Sequence, residues 1–251
     1  MSRLLSLLGA LLLCAGSWAA QAPPPWIAVT EEWPPFNYAD ANGNATGFST
    51  EVLQHVLAKA QLSMPIKIFP WARSYRMATL RENTLIFTLA RTPEREKLFT
   101  WIGPIAARES YLFRLGQRAE IQPKTPQEIG KYVVGVVRAD VSERELLNLG
   151  LVEGRNLDVS SDDISLFRKL KAGIIDMLPS NELAAQYRAR QLHFDHELVK
   201  VMVLVKQGGF YLGVSKNSDP VVVSKLQKAM DELKQSGELG ALYNHYLDAP
   251  K

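Results

Sequence analysis

The chain has almost no cysteine. Its single one, Cys14, lies within the first twenty residues. The remainder therefore holds no disulfide framework, no thiolate nucleophile and no cysteine-based metal site. Long hydrophobic runs are also absent after that start, so nothing further along is suited to crossing a membrane. Charge of one sign is not in excess. The whole chain carries 29 Lys+Arg against 26 Asp+Glu, a formal net charge of +3. That balance, with the basic residues scattered, speaks against a nucleic-acid partner. There is no Gly-x-Ser-x-Gly elbow and no Gly-rich phosphate loop. His193 and His196, around Asp195, have the spacing of a metal pair but no third ligand of suitable type nearby. Nothing in the sequence calls for a cofactor, a metal or a catalytic nucleophile.

What is present begins with "MSRLLSLLGALLLCAGSWAA". One basic residue, Arg3, precedes an apolar run from Leu4 to Ala15 and then small residues. This pattern is that of a secretory signal peptide spanning residues 1–19, cleaved after Ala19, with Ala22 as the alternative. An uncleaved anchor is the competing reading. Lipidation at Cys14 is disfavoured by Leu13, where a small residue belongs. Export places the mature chain in the periplasm. Without disulfides it must rely on its core, and roughly 230 residues suffice for one large or two small domains.

The mature region reads as α/β. "WIAVT" is a short strand that stops at the Pro- and aromatic-rich "EEWPPFNY", and "NGNATG" signals a hairpin. The triplet Asn44-Ala45-Thr46 matches a glycosylation acceptor, a pattern that also arises by chance. "FSTEVLQHVLAKA" has a helical apolar face capped by Ser49 or Thr50. "MPIKIF" and "LIFTLA" read as strands, with the helix "PWARSYRMATLREN" between them. A further helix is predicted to start at Thr92, with Pro93 in its first position and Glu94 suited to its dipole. Residues 118–205 repeat this grammar, with capping boxes expected at Thr125–Glu128 and Ser142–Glu145. Two helices at the C-terminus carry apolar stripes that need a sheet to cover. The simplest topology returns the chain to the first array and leaves a cleft between two lobes. The expected boundaries are 23–110 for the first lobe, 111–117 and 206–214 for the crossings, 118–205 for the second lobe, and 215–251 for the return. One continuous sheet with no cleft is the alternative.

The strand-to-turn passage "LIFTLARTPERE" suggests a carboxylate cradle. Arg95 offers a fork of donors, Thr88 a hydroxyl, and the backbone around Ala90 its N–H groups. Trp33, Phe36 and Trp71 sit where loops or helices follow strands, suited to walling a cleft mouth. Arg73 offers a second positive group. Glu31 or Glu32 could instead meet an amine, and the sequence leaves open which of them faces inward.

Three stretches carry a resemblance over nearly the whole mature chain: "WPPFNY…GFSTEVL", "ARTPEREKLFTWIGPI" and "FYLGVSKN…LQKAMDELKQSGELGALYNHYL". The chain resembles the periplasmic solute-binding proteins of the amino-acid type, family 3. The resemblance implies a monomeric, two-lobed, hinge-closing receptor that hands a small solute to an inner-membrane ABC permease. It implies that Arg95 grips a carboxylate, assisted by Thr88 and Ala90, with Trp33 and Phe36 as an aromatic wall. Asn181 falls where such proteins usually carry an aspartate for the solute's ammonium, and Asn brings no charge. "RADVS", residues 138–142, also departs from the family's small, hydroxyl-rich turn. Carboxylate recognition thus carries over better than amino-acid recognition. Some relatives on this scaffold are dehydratases of cyclic dienyl acids, and a cleft glutamate near Arg95 could act as an acid; a sensory module presenting ligand to a membrane receptor kinase is a third reading.

Overall fold

The structure, a computed structural model, describes residues 24–248. The signal-peptide reading and both cleavage sites lie outside the described residues.

The chain enters through β1 (Ile27–Thr30), a loop, and the small hairpin of β2 (Tyr38–Ala39) and β3 (Ala45–Thr46). Helix α1 (Phe48–Lys59) leads to β4 (Ile66–Ile68), and α2 (Trp71–Leu80) to β5 (Thr84–Ala90). β1 lies parallel to both β4 and β5. β6 (Phe99–Ala107) and β7 (Ser110–Leu115) follow. A short 3-10 helix (Pro126–Lys131) precedes β8 (Val134–Val137), α3 (Val141–Asn148), β9 (Leu157–Ser160) and α4 (Asp163–Lys171). Then come β10 (Leu178–Ser180), α5 (Glu182–Gln191), β11 (Leu198–Val205), β12 (Gly209–Ser215), α6 (Pro220–Gln235) and α7 (Glu238–Asp248).

Two sheets result. The first has the order β4-β1-β5-β12-β6, and the second has β7 between β10 and β11. β8 and β9 pair in parallel, and a parallel bridge from Val134 to Met177 ties β8 to the start of β10. The chain changes sheet at residues 108–109 and 206–208. The two crossings lie side by side, with the Arg108 amide donating to the Gly208 carbonyl at 3.1 Å. They are shorter than the sequence suggests. Residues 110–115 are fully buried strand in the second sheet, and residues 209–215 are strand in the first. Strand residues resume directly after the short polar crossings Arg108-Glu109 and Lys206-Gln207-Gly208, so composition does not show how early each next strand begins.

The predicted helix at Thr92 is absent. The Arg95 amide bonds the Thr92 carbonyl at 3.1 Å and the Leu98 amide bonds the Arg95 carbonyl at 2.9 Å, a pair of turns that deliver the chain into β6. Only eight residues separate β5 from β6, too few to repay helix nucleation. β6 then pairs antiparallel with β12, so the first sheet is mixed.

The caps also differ from expectation. Gly47, not Ser49 or Thr50, occupies the N-cap of α1. The first helical amides are taken by the loop instead: Phe48 donates to the Pro35 carbonyl at 3.0 Å and Ser49 to the Phe36 carbonyl at 2.7 Å. Asp140 caps α3 in place of Ser142, and Glu145 turns away to Arg108. Thr125 makes no side-chain cap, although Glu128 accepts from the Lys124 amide.

One apolar core lies between the first sheet and α1, α6 and α7, built on Phe48, Val52, Leu53, Leu226 and Met230. A second runs across the gap between the sheets, from Trp71, Leu89 and Phe99 to Phe113, Leu166 and Phe167. Each fully buried side chain of this size contributes about 1.5–3 kcal/mol. Gly47, at the start of α1, has no room for a side chain. Its φ is 103°, and a Cβ there would sit 2.7 Å from the Phe36 carbonyl oxygen and 2.8 Å from that of Pro35. Gly47→Ala is expected to cost roughly 1–3 kcal/mol through backbone strain, read as a lower urea midpoint with an unchanged slope.

Candidate functional site

The gap between the sheets closes over a cavity. Four of its polar residues share one topological position: each follows the carboxyl end of a parallel strand or of one bridged in parallel. Glu31 follows β1, Asp140 lies beyond β8, Asp163 beyond β9, and Asn181 follows β10. Strand ends of this kind leave backbone groups unpaired and side chains pointing off the sheet edge.

Arg95 comes from the turn after β5 and is only 7% exposed. Its guanidinium lies over the Tyr75 ring at 4.8 Å and the Trp71 ring at 5.6 Å. It donates to two carbonyls, Ala90 at 3.4 Å and Ala139 at 3.3 Å. Both bonds are long, and no carboxylate pairs with it among the described residues. A buried guanidinium held this loosely can turn its fork to an incoming anion. Ala139 belongs to the second lobe, and its carbonyl also accepts from the Trp71 indole at 2.9 Å. These two donations tie the lobes together over the cavity.

Thr88 lines the cavity at an unusual backbone angle, with φ at 59°. Two residues of β5, Phe87 and Thr88, oppose one residue of β12, Leu212. This is a bulge, a common device for re-aiming a side chain beside a site. The Thr88 hydroxyl proton goes to the Asn37 amide oxygen at 2.5 Å, so the donor expected for a carboxylate is already engaged. Ala90 reaches the cavity at the end of β5.

Trp33 lines the cavity with Phe36 stacked behind it at 4.6 Å and Phe210 edge-on at 5.3 Å. Phe36 is 2% exposed and supports the wall without facing the space. Arg73 is elsewhere: it is exposed, with its guanidinium over the Phe69 ring at 4.0 Å. Helical spacing explains this, because Trp71 turns inward and a residue two positions on cannot share its face. Asn181 lines the cavity while capping α5. Its side-chain oxygen accepts from the Leu183 amide at 2.9 Å, and its Nδ2 donates to the Glu109 carbonyl at 3.5 Å.

Glu31 is the glutamate that faces inward. Glu32 instead accepts from the Ala39 amide at 3.0 Å, on the exposed hairpin. Burial holds the Glu31 carboxyl well above the usual carboxylate range; Asp140 and Asp163 add to the rise, and Arg95 opposes it. Other cavity residues went unnoticed in the sequence. Arg108 sits at the first crossing with Nη2 on both Glu145 oxygens, at 2.7 and 2.9 Å. Glu109 accepts from the Tyr111 hydroxyl at 2.6 Å. Asp163 pairs with the deeply buried Arg188 at 2.7 Å. The strand-end rule would have found Glu31, Asp140 and Asp163. Nothing local marks Arg108 or Phe210, which reach the cavity only because the crossings lie together.

Two mixed α/β lobes, joined at two paired crossings and closed over a charged cavity, define a two-lobed binding protein of the periplasmic type. A family model described as bacterial extracellular solute-binding proteins, family 3, matches residues 26–249. The chain belongs to that family. It is 24% identical, over 97% of its length and 95% of the relative's, to the lysine/arginine/ornithine-binding periplasmic protein of Escherichia coli (strain K12). Among solved structures, a histidine kinase sensor domain similar to periplasmic binding proteins superposes with a TM-score of 0.79 at 14% identity, covering 90% of this chain and 97% of that one. The arginine-, lysine-, histidine-binding protein of Geobacillus stearothermophilus superposes at 0.76 with 16% identity, covering 91% and 97%. At these identities the structural likeness shows the fold. No helix among the described residues is long and apolar enough to cross a membrane.

Proposed function

We propose that this chain is a receptor for a small carboxylate-bearing solute that also carries positive charge, an amino acid or a derivative of one. The observation that carries this reading is Arg95, a buried guanidinium with no acidic partner among the described residues, in a cavity that Glu31 and Asp140 also line. Arg108 is neutralised by Glu145 and adds little to an anion's attraction. An anion at Arg95 and a cation near the acids would satisfy both ends of one molecule. The cavity draws its lining from both lobes and combines a guanidinium, carboxylates and aromatic rings, which suits a small charged solute. The E. coli and G. stearothermophilus proteins, whose names specify basic amino acids, support the same class.

Closure would bury the solute between the lobes, and an ABC permease would read the closed shape. Native purification followed by mass spectrometry of the bound solute tests the reading directly. A copurifying solute without a carboxylate would overturn it. Glu31 favours a second reading, because a buried carboxyl with a raised pKa beside an arginine has the character of a general acid. Turnover of cyclic dienyl acids by the purified protein would decide for that reading.

Glu31 also gives the binding a pH dependence. Burial raises its pKa, and a solute cation beside it favours the ionised form. Binding should then release a proton, and affinity should rise as pH increases toward the raised value. Calorimetry in two buffers of different ionisation enthalpy measures the released proton. A solute with no cation would show no such release.

A further inference from the structure

We propose that Asp163, oriented by Arg188, receives a positive group of the solute and sets the preference for charged over neutral solutes. This rests on the reading above, of a solute with charges of both signs. Asn181 is poorly placed for the task, since its oxygen caps α5 and its amide nitrogen is directed at Glu109. Asp140 caps α3, with one oxygen taking both the Ser142 amide and the Ser142 hydroxyl. Asp163 differs in what stands behind it.

Arg188 is 2% exposed and meets Asp163 through Nε alone, at 2.7 Å from Oδ2. Its Nη1 goes to Gln191, and its Nη2 has no partner among the described residues. Arginine and carboxylate ordinarily meet through a two-pronged fork, and the side-on fork uses Nε with Nη2. Here the second prong is missing although both groups are buried and adjacent. Leaving a buried donor unpaired is unfavourable, and it is the geometry expected when the other carboxylate oxygen is directed elsewhere. Asp163 lines the cavity, so Oδ1 has somewhere to point. Ser180, whose buried hydroxyl also has no partner, lines the same space. A carboxylate fixed on one side by a buried guanidinium and free on the other is a rigid acceptor for an ammonium or guanidinium group.

The test is calorimetry on the purified protein with three probes: L-lysine, L-norleucine, which lacks the distal ammonium, and 6-aminohexanoate, which lacks the α-ammonium. The wild type is expected to prefer L-lysine to at least one analogue by tenfold or more. Asp163→Asn should reduce that ratio to about one and leave the disfavoured analogue within threefold of its wild-type affinity. The analogue concerned identifies which positive group Asp163 receives. Because a lone Asn would leave Arg188 uncompensated, the double variant Asp163→Asn/Arg188→Gln provides a second measurement with no buried charge, and the same loss of ratio is expected. Equal weakening of all three probes, or no change, overturns the assignment while leaving the proposed solute class intact. Failure of the wild type to bind any probe removes the solute class, and the assignment with it.

Discussion

Arg95→Ala is expected to weaken binding of the carboxylate solute by about 2–5 kcal/mol, the range for truncating one partner of a buried, hydrogen-bonded charge pair. That is a loss of roughly thirty- to several-thousand-fold in affinity. The size follows from position. The side chain is nearly buried, lies against two aromatic rings, and among the described residues makes only long bonds, to neutral carbonyls. A carboxylate would replace those with charge-assisted bonds in a site from which water is excluded. Arg95→Lys should recover only part of the loss, because an ammonium keeps the charge but not the planar fork. The fold should tolerate either change better than binding does, since no acid is left unpaired by removing Arg95. Isothermal titration, with urea denaturation as the folding control, separates the two effects. Unchanged affinity in Arg95→Ala would remove the cradle from the account.

Much of this site could be read from residues 85–99, but not for the reason the sequence suggests. The strand is real and its end does deliver Arg95 to the gap. The helix N-terminus expected to assist it is not there, because Phe99 begins a strand that pairs with residues more than a hundred positions away. Local signals such as Thr92-Pro93 describe what a segment does alone, and long-range pairing overrode them. The same limit applies to Thr88. Its hydroxyl was legible as a donor, but its capture by Asn37 depends on a contact across 51 residues. Arg73 failed on periodicity that was available in the sequence. Asn181 lines the cavity, and its side chain also caps α5, a cap that the Asn-Glu start of that helix makes legible only in hindsight. The acids are less legible: local pattern does not separate Glu31 from Glu32 and reads Asp140 and Asp163 as turn and helix-start residues, although strand ends of an α/β sheet are where ligands gather.

Arg188→Met is expected to destabilise the fold by roughly 3–5 kcal/mol at neutral pH, because it strands a buried carboxylate without its partner. The pH dependence identifies the cause. In the wild type, burial pushes the Asp163 carboxyl up to about 6 from an ordinary 3.8, against the opposing pull of Arg188. A group raised in this way binds its proton more tightly in the folded state. Its contribution to stability is full below the ordinary value and is lost as pH rises through about 6. Without Arg188 the carboxyl should rise further, so the loss should extend to higher pH and the variant should approach wild-type stability in acid. Urea denaturation at about pH 3 and at about pH 7.5, on either side of that window, measures both arms. The double variant Asp163→Leu/Arg188→Met should behave differently. Replacing a buried pair with apolar groups is often neutral or stabilising by about 1–4 kcal/mol, so it should equal or exceed the wild type at neutral pH and lose the decline through about 6. If the double variant is instead as unstable as the single one, the pair is structural and its place beside the cavity is incidental. If the double variant is stable but no longer distinguishes charged from neutral probes, the ion pair is one the fold could do without, kept because the cavity needs a fixed negative charge.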